Sequence, residues 1–217
     1  MASPLITLKL ATSLDGRIAT TGGESRWITG PEARAQVHRL RGEHDAVLVG
    51  AETALADDPE LTVRLPGYTG PQPARVVLDS RQRLPTTSRL ARSADEIPVY
   101  VVATGVPSHD LVEAGVQIVQ APGLGDGRPD LPGVVAALAG RGLTRLFVEG
   151  GGQVAASFLR CGLVDRLEWF RGPQIIGGDG RPAVGALGLA ALDQAPRLRR
   201  IEVAVLGEDL WERYERI

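Results

Sequence analysis

The sequence predicts an α/β protein with a mostly parallel central sheet, flanked by helices, and antiparallel strands near the C terminus. Short aliphatic and β-branched runs alternate with longer segments of helical spacing, a pattern typical of parallel strands joined by crossover helices. The last two strand-like runs, 198–206 and 210–214, are separated by a very short connection. Such a connection joins antiparallel strands, because parallel strands need a long crossover.

The strands are predicted from apolar runs bounded by turn residues. In chain order they are 5–11, 46–50, 75–79, 98–103, 116–120, 146–149, 166–171, 198–206 and 210–214. The glycine-rich stretch 177–188 predicts a loop before the terminal pair. With 217 residues, of which 43% are hydrophobic, the chain is expected to form a single domain, 1–217.

Three helices are predicted between these strands. The first has Thr29 as N-cap, Pro31 in its first turn and its end near Gly42. Its residues Ala33, Val37 and Leu40 fall on one stripe that should pack on the sheet. The other two helices are expected over 131–141 and 153–160.

Composition excludes several classes of protein. Charges are nearly balanced, with 24 Lys+Arg against 26 Asp+Glu, so no bulk attraction to nucleic acid or to an anionic membrane is expected. No apolar run approaches the length of a membrane span and the first residues lack a signal-peptide pattern, so a cytoplasmic location is expected. Scattered histidines and the single Cys161, expected to be buried, predict no metal site.

A glycine-rich turn is predicted where the 146–149 strand meets the 153–160 helix. Gly150, Gly152 and Ala155 match the G-x-G-x-x-A spacing of a dinucleotide-binding turn, in which backbone amides at a helix N-terminus bind phosphate. A Rossmann domain would also need an acid at the end of the next strand, and only Glu168, in mid-strand, is available. A plain strand-to-helix turn fits these residues equally well.

Three further features carry polar chemistry. Lys9, in the first strand, is the only lysine in the sequence, and an ammonium group donates protons that a guanidinium does not. Trp27 lies in a polar loop, where it either covers a planar ligand or packs in the core. Asp57 and Asp58 precede a proline and fit an ordinary turn, or a site for a polar heterocycle together with Arg64.

Taken together, six blocks of sequence strongly resemble the reductase half of the riboflavin-biosynthesis bifunctional deaminase/reductase. They are LKLATSLDGRIAT, GESRWITGPEAR, LVGAETALADDPELTVR, VVLDSRQR, LFVEGGGQVAASFL and LVDRLEWFRGPQIIGGDG. The resemblance implies a dihydrofolate-reductase-like fold and NADPH as hydride donor. It also implies 5-amino-6-(5-phospho-D-ribosylamino)uracil as substrate and the ribitylamino compound as product.

The resemblance also assigns residues to the site. Cofactor contacts are expected at Ala11, Trp27, Thr53, Asp57, Ser80, Gly151, Gly152, Gln153, Val154, Ala155, Ala156 and Ser157. Substrate contacts are expected at Ser25, Arg41, Leu61, Arg64 and Glu149. We expect Arg41 and Arg64 to hold the ribose phosphate, and Arg81 beside Ser80 to read an adenosine 2′-phosphate. Lys9, Asp57 and Glu149 are the candidate catalytic residues.

Some features depart from the resembled family. Gly152 and Gln153 stand where its members often have proline and threonine, which predicts a looser turn and weaker cofactor binding. The zinc signature of the deaminase half is missing, so that activity is expected in a separate polypeptide, or this chain is a piece of a longer one.

The exposed edge of the late strands predicts a homodimer. Two other interpretations stay open: a related reductase acting on another pyrimidine or pterin, and a non-catalytic nucleotide-binding module.

Overall fold

The computed structural model of the protein describes residues 4–125 and 127–217. The strands are β1 (Leu5–Thr12), β2 (Arg17–Ala19), β3 (Ala46–Gly50), β4 (Ala74–Leu78), β5 (Val99–Ala103), β6 (Gln117–Gln120), β7 (Arg145–Gly150), β8 (Arg166–Arg171), β9 (Arg181–Pro182), β10 (Leu198–Leu206) and β11 (Asp209–Arg216). The helices are α1 (Pro31–Gly42), α2 (Ala51–Asp57), α3 (Arg89–Arg92), α4 (His109–Glu113), α5 (Leu131–Ala139) and α6 (Gly152–Arg160).

The chain forms two compact units, and the first contains residues 4–5 and 40–147. Strands β3, β4, β5 and β6 are neighbours in this order, and every neighbouring pair is parallel. All residues of β3 and β5 are buried. Continuous burial is expected where a parallel sheet is covered on both faces, and it explains why these strands are uninterrupted aliphatic runs.

The second unit contains residues 6–39 and 148–217. In this unit β1 and β8 pair in parallel, whereas β11 pairs antiparallel with both β8 and β10. The predicted α/β class and the antiparallel C-terminal pair are therefore confirmed. The short strands β2 and β9 form a separate antiparallel pair.

The predicted helices are confirmed with small shifts at their ends. Helix α1 begins at Pro31, with Ala33, Val37 and Leu40 buried as expected. The residue before Pro31 is Gly30 rather than the predicted N-cap Thr29, and its amide donates to the Asp209 carboxylate at 2.6 Å. Helix α2 is not among the predicted helices, and its N-cap Gly50 offers no side-chain acceptor. Of the helices in the described part of the chain, none is long and apolar enough to span a membrane.

Burial corrects one expectation. Cys161 is exposed, not buried, because it caps the C-terminal end of α6 and follows the last apolar turn of that helix. The neighbouring Phe158 supplies the buried side chain of this segment. Residues of this apolar run other than Cys161, such as Phe158, therefore face the interior.

Buried charge lies in β8 and β11. The Glu168 carboxylate, fully buried, accepts a hydrogen bond from Trp211 Nε1 at 2.8 Å and one from Arg213 Nε at 2.7 Å. Burial raises the pKa of Glu168, and the hydrogen bonds and charge of Arg213 oppose that shift. Both carboxylate oxygens are thereby satisfied, which a buried ion needs in order to be tolerated.

Candidate active site

The pair Lys9 and Glu149 is the chemically distinctive feature of the second unit. Lys9 Nζ lies 3.9 Å from Glu149 Oε2, and their side chains are 15% and 9% exposed. Lys9 is the fifth of the eight residues of β1, and Glu149 is the penultimate residue of β7. Ala11 is two residues beyond Lys9 and therefore on the same face of β1. A partly buried ammonium and carboxylate in contact can hold or move a proton.

The glycine turn follows Glu149 directly. Gly150 has a φ of +105°, a conformation that favours glycine. A Cβ at Gly152 would lie 2.6 Å from the Pro182 carbonyl oxygen, and the Gly185 amide donates to Gly152 O at 2.9 Å. Both positions thus need glycine, one for its backbone angle and one for close packing. Neither requirement is visible in the G-x-G spacing itself.

Helix α6 begins at this turn, and its first turn contains the predicted cofactor residues Gly152–Ala155. Amides in the first turn of a helix have no acceptor within the helix, and the helix dipole adds positive potential there. Ala155 and Ala156 are buried, and Gln153 is exposed. The turn therefore fits a diphosphate through backbone groups, while Ala155 and Ala156 pack in the interior.

Trp27 lies in the segment between β2 and α1 and is 66% exposed. This exposure excludes the core-packing interpretation. The Arg34 guanidinium lies 4.3 Å from the ring centroid, and Arg26 lies 5.9 Å away. Trp27 also lines a cavity of about 480 Å³ with residues of segments 28–32, 173–174 and 207–209. Ser25, a predicted substrate residue, lies half-buried in the same loop.

The other predicted cofactor residues lie in the first unit. Thr53 and Asp57 are four residues apart on α2, and hence on one side of that helix. Asp57 is its last residue, and Asp58, which follows in the left-handed region with a φ of 39°, accepts a hydrogen bond from the Arg89 amide at 2.9 Å. Ser80 and Arg81 follow β4.

The predicted substrate residues of this unit converge on segment 60–64. Leu61 is buried with a φ of 56°. Arg64 contacts Glu60 at 3.0 Å, and its side chain is 53% exposed. Arg41 is buried, and its NH1 group donates to the Thr62 carbonyl at 2.8 Å. At least part of the Arg41 guanidinium thus supports the backbone beside Arg64.

The family model described as RibD C-terminal domain matches residues 4–211. The chain belongs to the RibD C-terminal domain family. The chain is 38% identical to the riboflavin biosynthesis protein RibD of Aquifex aeolicus over 95% of this chain and 56% of that protein. It therefore spans about half the length of the RibD proteins that it matches.

Other relatives have the length of this chain. It is 40% identical, over 97% of both chains, to the 2,5-diamino-6-ribosylamino-4(3H)-pyrimidinone 5′-phosphate reductase of Methanothermobacter thermautotrophicus. Among solved structures, Acinetobacter baumannii RibD superposes with a TM-score of 0.86 at 30% identity, over 99% of this chain and 58% of that one. The dihydrofolate-reductase-like class expected for the RibD C-terminal domain family is thus confirmed.

Several residues that shape this RibD-type domain are not predicted by sequence motifs. Gln174 Nε2 donates to the Ile28 carbonyl at 2.9 Å, and Asp209 accepts from Gly30, so both hold the Trp27 loop. Asp15 accepts hydrogen bonds from Ser13 Oγ at 2.6 Å and from the amides of Ile176 and Gly177 at 3.1 and 2.7 Å. Apart from Ser13, these partners are far apart in sequence, which is why no local pattern marks them.

The Asp15 contacts predict a loss of stability in acid. Hydrogen bonds from Ser13 and from two amides lower the pKa of Asp15 to about 2, from 3.8. Ionised Asp15 therefore stabilises the folded chain above pH 3.8, and this contribution is lost as the pH falls through about 2.

We expect Asp15→Asn to lower the thermal midpoint at pH 6 and to flatten the dependence of that midpoint on pH between pH 4 and 2. Tryptophan fluorescence at several pH values measures this. Asp110→Asn, at an exposed position of α4, is the control and should leave the acid profile unchanged. A variant profile that runs parallel to that of the wild type would contradict the assignment.

Proposed function

We propose that the chain catalyses NADPH-dependent reduction of 5-amino-6-(5-phospho-D-ribosylamino)uracil to the ribitylamino compound. The observation that carries the proposal is the Lys9–Glu149 pair, with Nζ and Oε2 at 3.9 Å, at the strand end that opens into the glycine turn. The pair proposed to transfer a proton and the turn proposed to bind the diphosphate thus meet at one end of β7. This is the arrangement that hydride transfer to a polar acceptor needs.

The names of relatives support this reaction class, and they contain two compounds that are candidate substrates for this chain. A Thermotoga maritima protein at 28% identity, with a TM-score of 0.84, is described as a deaminase and a 5-amino-6-(5-phosphoribosylamino)uracil reductase. The Methanothermobacter relative is named for the diamino-pyrimidinone analogue. The two compounds differ by the amino or oxo group on the pyrimidine, so comparing kcat/KM for both identifies the better substrate.

The residues fit a reduction through the ring-opened form of the substrate. Opening the ribose ring gives an imine between C1′ and the exocyclic nitrogen, with a free hydroxyl on the sugar. When bound, NADPH would supply the hydride for a new C–H bond at C1′, and groups of the chain would supply the proton for the nitrogen. Lys9, Glu149 and Asp57 are the groups proposed to polarise the substrate and handle its protons.

The proposed cofactor site uses the backbone amides at the start of α6 for the diphosphate and Trp27 against a planar ring. Ser80 and Arg81 are proposed to read the 2′-phosphate that distinguishes NADPH from NADH. Arg81 is exposed and Ser80 half-buried directly after β4, which suits contact with a charged group. Measuring KM for both cofactors with Arg81→Ala tests this part.

A homodimer through β10 is also proposed. This strand is the end strand of the sheet, and its Ile201, Val203 and Val205 side chains are 44%, 53% and 73% exposed. A long edge strand with exposed aliphatic residues favours association with another chain. Sedimentation of the wild type and of Val203→Lys measures the oligomeric state.

The decisive assay follows the loss of NADPH absorbance with the phosphorylated substrate. We expect Arg64→Ala to raise the KM for that substrate roughly 10- to 100-fold, because a charge-assisted hydrogen bond to phosphate is lost. The KM for NADPH should stay unchanged. A reductase for a substrate without a phosphate would not show this selective effect.

Arg89→Ala is the matched control, because Arg89 is exposed and contacts the same Glu60 at 3.2 Å. It should leave both KM values unchanged. Folded wild-type protein that binds NADPH without oxidising it would favour a nucleotide-binding module instead.

A further inference from the structure

Segment 60–64 is held by a side chain that imitates a neighbouring strand. Gln72 Oε1 accepts a hydrogen bond from the Val63 amide at 2.7 Å, and Gln72 Nε2 donates to the Val63 carbonyl at 3.1 Å. A primary amide offers the same donor and acceptor as a peptide group. One glutamine therefore supplies the pair of hydrogen bonds that an adjacent strand would supply.

The pairing fixes which side chains face outward. Leu61 and Val63 are 3% and 5% exposed, whereas Arg64 is exposed and Thr62 half-buried. Burial thus alternates from Leu61 to Arg64, and fixing both polar groups of Val63 restrains the direction of the next side chain, Arg64. The hydrogen bonds of Gln72 thus act on the backbone of the residue that precedes Arg64.

Two arginines support the same segment from the interior. Arg41 NH1 donates to Thr62 O at 2.8 Å, and Arg75 NH1 lies 3.5 Å from Glu60 O. These contacts hold carbonyl groups only. Gln72 differs because it binds both the amide and the carbonyl of one residue, Val63. It therefore restrains the backbone of Val63 on both sides of its Cα atom.

We propose that Gln72 is a positioning residue that determines the affinity for the substrate phosphate, by holding Val63 so that Arg64 points toward the phosphate. This rests on the proposed function, in which Arg64 binds that group. Gln72 contacts neither substrate nor cofactor in this assignment. Its loss should therefore weaken binding of the phosphorylated end and leave hydride transfer unchanged.

The test compares steady-state kinetics of the wild type, Gln72→Leu and Gln72→Glu. Leucine removes both hydrogen bonds, whereas glutamate keeps the acceptor for Val63 N and places a second oxygen against Val63 O. We expect either change to raise the KM for the phosphorylated substrate about tenfold. The kcat at saturation and the KM for NADPH should stay within about twofold of the wild type.

Gln82→Leu is the matched control. Gln82 Nε2 donates to Val106 O at 2.7 Å, and its Oε1 accepts from the Ser108 amide at 2.6 Å, so it also bonds one carbonyl and one amide, but of two residues in another loop. This loop contains no predicted substrate residue. The KM of Gln82→Leu for the phosphorylated substrate should match that of the wild type. This control separates misplacement of Arg64 from a general destabilisation caused by losing a glutamine that holds a loop.

A double-variant cycle distinguishes positioning from a structural defect. In the Arg64→Ala background, Gln72→Leu should raise the substrate KM no further, because the group that it orients is gone. Independent, multiplying effects would overturn the proposal, as would equal KM values for the wild type and both Gln72 variants. A wild type that does not reduce the substrate would instead overturn the proposed function, and this inference with it.

Discussion

Glu149→Gln is expected to lower kcat roughly 10²- to 10⁴-fold, the range typical of losing a proton-transferring group. Glutamine preserves the size of the side chain and removes the charge that Lys9 contacts at 3.9 Å. The glycine turn begins at the next residue, and its backbone amides are unaffected by the change. NADPH affinity, measured by quenching of tryptophan fluorescence, should therefore stay close to that of the wild type.

Lys9→Met should give a loss of similar size, and the double variant little more, because groups that act as a unit are not additive. Glu215→Gln is the control, since Glu215 also pairs with a cation, Arg166, at 3.0 Å. Its activity should equal that of the wild type. Equal losses of kcat and NADPH affinity in Glu149→Gln would assign this residue to binding rather than to catalysis.

Arg213→Met is expected to destabilise the folded chain by about 3–5 kcal/mol, because it removes the cation that is hydrogen-bonded to a buried carboxylate. Glu168 is fully buried, and the Arg213 side chain is 20% exposed. Trp211 keeps its hydrogen bond to Glu168 but supplies no charge. Urea unfolding followed by circular dichroism measures the free energy of unfolding.

The destabilisation should grow with pH. Burial raises the pKa of Glu168 above its ordinary value of 4.5, so the protonated form favours the folded state. That contribution is complete below pH 4.5 and is lost as the pH rises through the raised pKa. Without Arg213, which opposes the shift, the loss should be larger at pH 8 than at pH 5.

Arg200→Met serves as the control for Arg213→Met. The Arg200 side chain is 59% exposed, and its partner Glu212 keeps Arg171 at 2.7 Å. The expected change is within about 1 kcal/mol, as for surface ion pairs. If Arg213→Met and Arg200→Met lower the free energy of unfolding by the same amount at every pH, the burial of Glu168 is not the cause of the destabilisation.

The fold class was predictable because apolar periodicity reports burial directly. Strands β3 and β5 are buried throughout and appear in the sequence as plain aliphatic runs. Helix α2 was not predicted, because Gly50 provides no cap and its short sequence has no clear apolar stripe. Its place is set by the preceding buried strand rather than by its own residues.

The candidate site was predictable only where the chemistry is local. Lys9 stands out as the sole lysine, and Glu149 immediately precedes the glycine turn. The residues that position loops are harder to predict. Asp209 accepts a hydrogen bond from the backbone of Gly30, which is distant in sequence, and Gln72 bonds Val63, which belongs to no motif. A single glutamine looks the same in a sequence whether its amide is solvated or bonds the backbone as a strand would, so sequence patterns do not reveal its role.

The exposed Cys161 offers direct access to helix α6. It is the only cysteine in the sequence and sits at the end of the helix whose first turn is the proposed diphosphate site. A maleimide fluorophore would therefore attach at one position without any mutagenesis. Dye emission during a nucleotide titration would then report occupancy from the far end of that helix, independently of turnover.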